Sequence, residues 1–228
     1  MDLRKNLTAL EERISNACAR AGRKPSDILI VAVSKTHPAE LIEHAFELGI
    51  RDFGENRVQE LIKKKDLLST RIRWHQIGHL QSNKAKYIAP FVHCVHSIDS
   101  LDTAIELSDR AAQNERSIDI LIEVNIAQEP SKNGVLAPDA AKLLDGIVAR
   151  APNLRPRGLM TIAPFEDFPE NTRPYFRALR KLRDEIALKH PEVAFTELSM
   201  GMTNDFEIAI EEGATMIRIG SALFGERE

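Results

Sequence analysis

Aromatic residues are scarce: Phe, Tyr and Trp make up 5% of the 228 residues. A platform for single-stranded nucleic acid needs several exposed rings on which bases stack, and so few aromatics weigh against one. Surplus positive charge is missing as well. The formal net charge is -3 and the pI about 6.2, whereas a nucleic-acid-binding surface carries a basic face. Long apolar runs are absent: the stretch from Ile28 to Val33 has six residues, and a membrane-spanning helix needs about 20. The opening MDLRKNLTALEERI is a charged amphipathic segment without the apolar centre of a secretory signal. Cysteine occurs only as Cys18 and Cys94, which argues against a disulfide framework and fits a reducing cytoplasm. Neither common glycine-rich nucleotide fingerprint is present. These absences predict a cytoplasmic protein with neither nucleic acid nor membrane as partner.

What the sequence does contain is regular alternation. With 43% hydrophobic and 29% charged residues, the chain can bury a core and remain soluble. A first helix is expected over about residues 2 to 22, with Leu3, Leu7, Leu10 and Ile14 on one stripe and Gly22 as its stop. Then comes ILIVAV, an unbroken apolar run of the kind buried on both faces of a sheet. Further strands are expected near 51–53, 73–78, 92–97, 119–126, 157–162, 195–200 and 215–220. Helical segments fall at about 38–49, 58–68, 101–112, 138–149, 171–189 and 204–212, with Asp99 or Ser100 able to cap the third. Strands separated by helix-length segments predict a parallel sheet. Eight such units in this length fit a single (β/α)8 barrel over residues 1–228, preceded by an extra helix; an open, doubly wound sheet is the alternative.

In a barrel, chemistry gathers where strands end. Lys35 follows the first run with only Ser34 between, where desolvation favours the neutral, nucleophilic amine. The alternative is a solvated lysine opening a loop, and position alone does not separate the two. The segment SMGMTNDFEIAI places Ser199, Gly201 and Thr203 before a helix, with Thr203 and Asn204 as possible caps. Such a turn either cradles phosphate with its N–H groups or only caps the helix. Arg218, Gly220 and Ser221 end the eighth strand. The last two loops of a barrel often form a phosphate site, although tight packing also selects small residues there. His75 with His79 and His93 with His96 lack a carboxylate at ligand spacing, so no metal is expected. Lys63, Lys64 and Lys65 read as a solvated helix face. Arg173, Arg177 and Arg180 recur at helical spacing as a surface stripe, with an anion or partner site as the other reading.

The motifs AVSKTHP, FGENRVQE, WHQIGHLQSNK, EVNI, GLMTIAP and ELSMGMTNDFEIAIEEGATMIRIGSALFG run in order from about residue 29 to residue 225. Together they resemble the pyridoxal phosphate homeostasis protein family, which is similar to the N-terminal barrel of alanine racemase. The resemblance implies that pyridoxal 5′-phosphate is bound, with Lys35 as the Schiff-base lysine. It implies Ser199, Gly201, Thr203, Gly220 and Ser221 around the phosphate and Arg218 at the pyridine nitrogen. Asn56 would line the cofactor face, with His75, Met160 and Met200 as wall residues behind. Lys132 enters through the family's linker motif. An arginine stays protonated and cannot take the ring proton that a carboxylate partner would share, which makes the ring a weaker electron sink.

Alanine racemase adds a second domain that supplies a tyrosine base, while here Tyr87 and Tyr175 follow no expected strand end. Racemisation needs a proton donor on each face of the substrate. The expected role is therefore non-catalytic: storage, buffering or delivery of the cofactor, with dependent apoenzymes as recipients and a monomer as the expected state. A racemase-like enzyme of low activity and a Schiff-base aldolase acting through Lys35 are the alternatives.

Overall fold

The computed structural model describes residues 2–225. Its strands are β1 (Leu29–Val33), β2 (Asp52–Glu55), β3 (Arg73–Gln76), β4 (Cys94–Ile98), β5 (Ile118–Glu123), β6 (Leu154–Met160), β7 (Glu197–Ser199) and β8 (Met216–Ile219). They close into a parallel barrel in sequence order. The seam runs from Leu29 beside Met216 to Ala32 beside Ile219, so the open-sheet alternative is excluded. The helices are α1 (Leu3–Arg20), α2 (Ala39–Glu47), α3 (Val58–Leu67), α4 (Ala85–Ile88), α5 (Leu101–Gln113), α6 (Ala140–Arg150), α7 (Arg173–Lys189), α8 (Phe206–Glu211) and α9 (Ser221–Phe224).

Local chemistry sets the boundaries. Gly22 ends α1 with φ +64°, and the Arg23 N–H reaches back to the Cys18 carbonyl at 2.9 Å, the closing bond of a left-handed helix stop. Ser100, one of the two expected caps, accepts from the Thr103 N–H at 3.3 Å. Asn204 and Thr203 do not cap α8. Asp205 is the residue at its start, and the Asp205 carboxylate instead accepts from the Met202 N–H at 2.6 Å. Between β3 and β4 the chain makes only a 3-10 turn (Ser82–Lys84) and the single-turn α4. Pro90 stands just beyond, where a proline cannot continue a helix. The four-residue α9 is a further element that the sequence pattern does not predict.

Side chains alternate across the barrel wall, as period-two geometry requires. Ala32, Phe53, Trp74, Val95, Ile120, Ile122, Leu159, Leu198, Ile217 and Ile219 join the large core between barrel and helices. The opposite parity faces inward and forms two small apolar groups: Val31, Val33 and Ile77, and Cys94, Leu121 and Met160. Barrel interiors are usually filled throughout by branched apolar side chains. Here Asp52, His75, His96, Ser199 and Arg218, all buried, share the interior with those two groups. The helix α1 buries Leu3, Leu7, Leu10 and Ile14 and is tied to α8 by Arg13–Glu207 at 3.2 Å and to α9 by Asn6, which donates to the Leu223 carbonyl at 3.0 Å.

Candidate functional site

At the C-terminal rim of the barrel lies a cavity of about 510 Å3, lined by residues that include Val33, Lys35, Lys132, Thr203, Arg218, Gly220 and Ser221. That volume falls within the range of roughly 300–1,000 Å3 usual for small-molecule sites. Of the residues expected from the sequence, Lys35, Thr203, Arg218, Gly220 and Ser221 meet here, although they come from the ends of three different strands, β1, β7 and β8.

Lys35 stands two residues beyond β1 in a turn that is pinned from below. Ser34 donates to Glu55 at 2.6 Å, and the Lys64 ammonium donates to the Ser34 carbonyl at 2.7 Å, to Glu55 at 2.8 Å and to Glu60 at 2.6 Å. Glu60 in turn accepts from the Thr36 N–H at 2.5 Å, and Thr36 has φ +69°, a conformation that costs a β-branched residue energy unless its surroundings hold it. Lys64 is buried, so the expected solvated face of Lys63, Lys64 and Lys65 is incorrect at its central residue. The reason is the pair of carboxylates facing it, one of which, Glu55, is wholly buried. Burial pushes the Glu55 carboxyl up, and the hydrogen bonds from Lys64 and Ser34 offset this only in part.

The loops after β7 and β8 meet across the cavity floor, where Thr203 accepts from the Ala222 N–H at 3.3 Å. Gly201 has φ +91°, and a β-carbon there would lie 2.5 Å from that of Ala209; only glycine fits this approach of the turn to α8. Arg218 projects inward from β8. One terminal nitrogen donates to the Ser199 carbonyl at 2.8 Å and to its hydroxyl at 2.7 Å, and the other donates to the Thr161 carbonyl at 2.8 Å. Burial lowers the guanidinium pKa to about 10, against the opposing charges of Asp205 and Glu123, so it remains a cation at neutral pH.

Ser199 lies one layer beneath the cavity, fully buried, with its hydroxyl on Arg218 and 2.9 Å from Nδ1 of His96. Nε2 of His96 is 2.8 Å from Nδ1 of His75, whose Nε2 is 2.9 Å from Asp52. Arg73 closes the series on Asp52 at 2.7 Å. The sequence grouped His75 with His79 and His93 with His96, but barrel pairing instead joins His75 to His96 and leaves His79 3.3 Å from Asp99. His75, His96 and Cys94 lie close enough to suggest a metal site. However, the facing ring nitrogens are engaged with each other, and burial pushes the Cys94 thiol well up, away from the thiolate a metal requires.

Asn56 and Met200 do not line the cavity. Asn56 borders a separate recess with Arg57, His79 and Lys84, and Met200 is wholly buried in the outer core. Met160 lies in the barrel interior. Lys132 reaches the rim, paired with Glu129 at 2.6 Å and donating to the Ala163 carbonyl at 3.2 Å. The sequence reading missed Glu123. This acid ends the apolar run of β5, faces a small side chamber beside the main cavity, and leaves one carboxyl oxygen without a partner. Burial, reinforced by Asp99, raises its pKa to about 7. Arg173, Arg177 and Arg180 are committed within the fold: all three engage Glu212, and Arg173 also engages Glu170 and Glu211.

Residues 6–228 match the family described as alanine racemase, N-terminal domain. The pyridoxal phosphate homeostasis protein of Aquifex aeolicus is 46% identical over 229 residues, covering 100% of both chains. The protein of the same name from Escherichia coli is 40% identical, over 100% of this chain and 97% of that one. PipY of Synechococcus elongatus, solved with PLP bound, superposes with a TM-score of 0.85 at 34% identity, covering 98% of this chain and 100% of that one.

Proposed function

The chain belongs to the pyridoxal phosphate homeostasis proteins of the alanine racemase N-terminal domain family, and from that premise we propose that it holds pyridoxal 5′-phosphate in the rim cavity and acts in homeostasis of that cofactor. The observation that carries this reading is the meeting of an amine, a guanidinium and two hydroxyls, from Lys35, Arg218, Thr203 and Ser221, around one cavity. This donor set fits the group: a phosphate asks for N–H and O–H donors at turns, and a pyridine nitrogen asks for a donor that keeps its own proton. When bound, the cofactor supplies an aldehyde that condenses with a primary amine.

Lys35 supplies that amine from its pinned turn. Thr203, Gly220 and Ser221 hold the phosphate between the last two loops, with Gly201 shaping the turn that presents Thr203. Arg218 donates toward the ring nitrogen. Ser199 and His75 act behind Arg218 and not on the phosphate, while Asn56 has no contact role in this reading. Lys132 offers a second amine at the mouth. The cation at Arg218 suits custody of the cofactor, or racemase-like chemistry, better than transamination, because it does not supply the ring proton that strengthens an electron sink. Among the described residues no helix is long and apolar enough to cross a membrane, and both cysteines are free and buried; we place the protein in the cytoplasm, as a monomer that hands the cofactor to dependent apoenzymes.

The test is the absorption spectrum of the full chain titrated with pyridoxal 5′-phosphate. A visible band that appears with saturable stoichiometry, and is absent from Lys35→Ala, is the expected result. An unchanged band in Lys35→Ala would refute the assignment of the amine.

A further inference from the structure

The polar series inside the barrel has a direction. Arg73 and Arg218 can only donate, and an ionised carboxylate can only accept. Burial alone would raise the Asp52 carboxyl, but hydrogen bonds from His75 and Arg73 outweigh it and hold Asp52 below the usual range, hence ionised. His75 therefore presents Nε2–H to Asp52. Burial pushes His96 well below its ordinary pKa, with the charge of Arg218 adding to the effect, so it carries a single ring proton. With one proton on each ring the hydrogens fit in one way only. Arg218 donates to the Ser199 hydroxyl, that hydroxyl donates to Nδ1 of His96, Nε2–H of His96 donates to Nδ1 of His75, and Nε2–H of His75 donates to Asp52.

We propose that Asp52, His75, His96 and Ser199 are positioning residues for the rim cavity, a one-way relay that fixes the Ser199 hydroxyl as acceptor and so sets the orientation of Arg218. The proposal rests on the reading of Arg218 as a cofactor contact. A role in stability alone explains the series poorly, because buried polar networks contribute less than apolar packing of the same shape. The charges are also distributed unevenly. At the far end Asp52 is paired with Arg73, whereas at the cavity Arg218 is held by two carbonyls and a hydroxyl, which leaves its charge available to a ligand. Because the His96 ring has a single proton to share, it passes the choice made at Asp52 to Ser199. The titratable groups acting on the series from outside are His93, beside His75 and His96, and Glu123 and Asp205, near Arg218.

The test uses the full chain labelled with 15N at histidine, without cofactor, alongside Asp52→Leu and the pair Ser199→Ala and Ser199→Thr. Wild type should show His75 and His96 neutral and protonated at Nε2. Asp52→Leu, which touches nothing in the cavity, should lose the single tautomer at His96, shift the visible band of bound pyridoxal phosphate and weaken its affinity roughly tenfold, the loss of one charge-assisted hydrogen bond. Ser199→Ala should do the same and Ser199→Thr should restore it. Nδ1–H on His96 in wild type would overturn the relay even if no variant folds. So would an Asp52→Leu protein with lowered melting temperature but unchanged tautomer, band and affinity. Wild type that shows the expected tautomers but binds no pyridoxal phosphate would instead overturn the cofactor reading.

Discussion

The protein holds arginine and carboxylate together in two contrasting places. On the outside, Arg173, Arg177 and Arg180 of α7 converge on Glu212, with Glu170 and Glu211 adding to Arg173. Each cation there has an acid within reach and much of the group is solvated. Inside the barrel, Arg218 is buried, bonded only to neutral acceptors, and borders a cavity. Only the second arrangement leaves a cation without a direct ion pair among the described residues at a place a ligand can reach. The sequence marks the first cluster more strongly, through its helical spacing, but the second has the features of a site.

Four variants would break or sharpen this contrast, in decreasing order of effect. Lys64→Met strands Glu55, a wholly buried carboxyl. We expect a loss of about 3–5 kcal/mol at pH 7 that shrinks as pH falls, because burial pushes the Glu55 carboxyl up and a protonated carboxyl needs no partner cation, together with a loosened Lys35 turn; denaturant titration at pH 7 and at a lower pH measures it. Glu123→Gln should act in the opposite sense. Glu123 has a pKa of about 7 in the fold against an ordinary 4.5. The unfolded chain therefore releases this proton first, and the stability of wild type falls as pH rises from 4.5 to 7. Glutamine removes that loss, so the variant should gain roughly 3 kcal/mol on wild type at pH 8 and nothing below pH 4. Gly201→Ala forces a β-carbon onto Ala209 at positive φ and should cost about 1–3 kcal/mol, with weakened cofactor binding through the displaced Thr203. Arg177→Ala, on the exposed cluster, should cost less than about 1 kcal/mol and leave cofactor affinity unchanged. If Arg177→Ala proved as damaging as Lys64→Met, the distinction between the two regions would fail.

The legible part of the molecule was the part written in short-range pattern. Eight strand-like segments alternating with helical ones, the stop at Gly22, the lysine after β1 and the small residues after β7 and β8 are all local signals, and strand-end logic gathers Lys35, Thr203, Arg218, Gly220 and Ser221 at one rim. The missed features depend on which strand lies beside which. Lys64 looked solvated within a run of three lysines because its partners, Glu55 on β2 and the carbonyl of Ser34, come together only when the barrel forms. His75 and His96 lie 21 residues apart and meet only through the pairing of β3 with β4. Glu123 has a local signal too, an acid ending an apolar strand, at the same end of its strand as Lys35 is of β1.

The central claim is that Lys35, held at the end of β1, is the amine that takes the cofactor's aldehyde. Reduction of the pyridoxal phosphate-loaded protein with borohydride, followed by digestion and peptide mass mapping, tests it most directly. The cofactor's added mass is expected on the peptide containing Lys35, at near one per chain. The same mass on Lys132 or another lysine, with the Lys35 peptide unmodified, would contradict it.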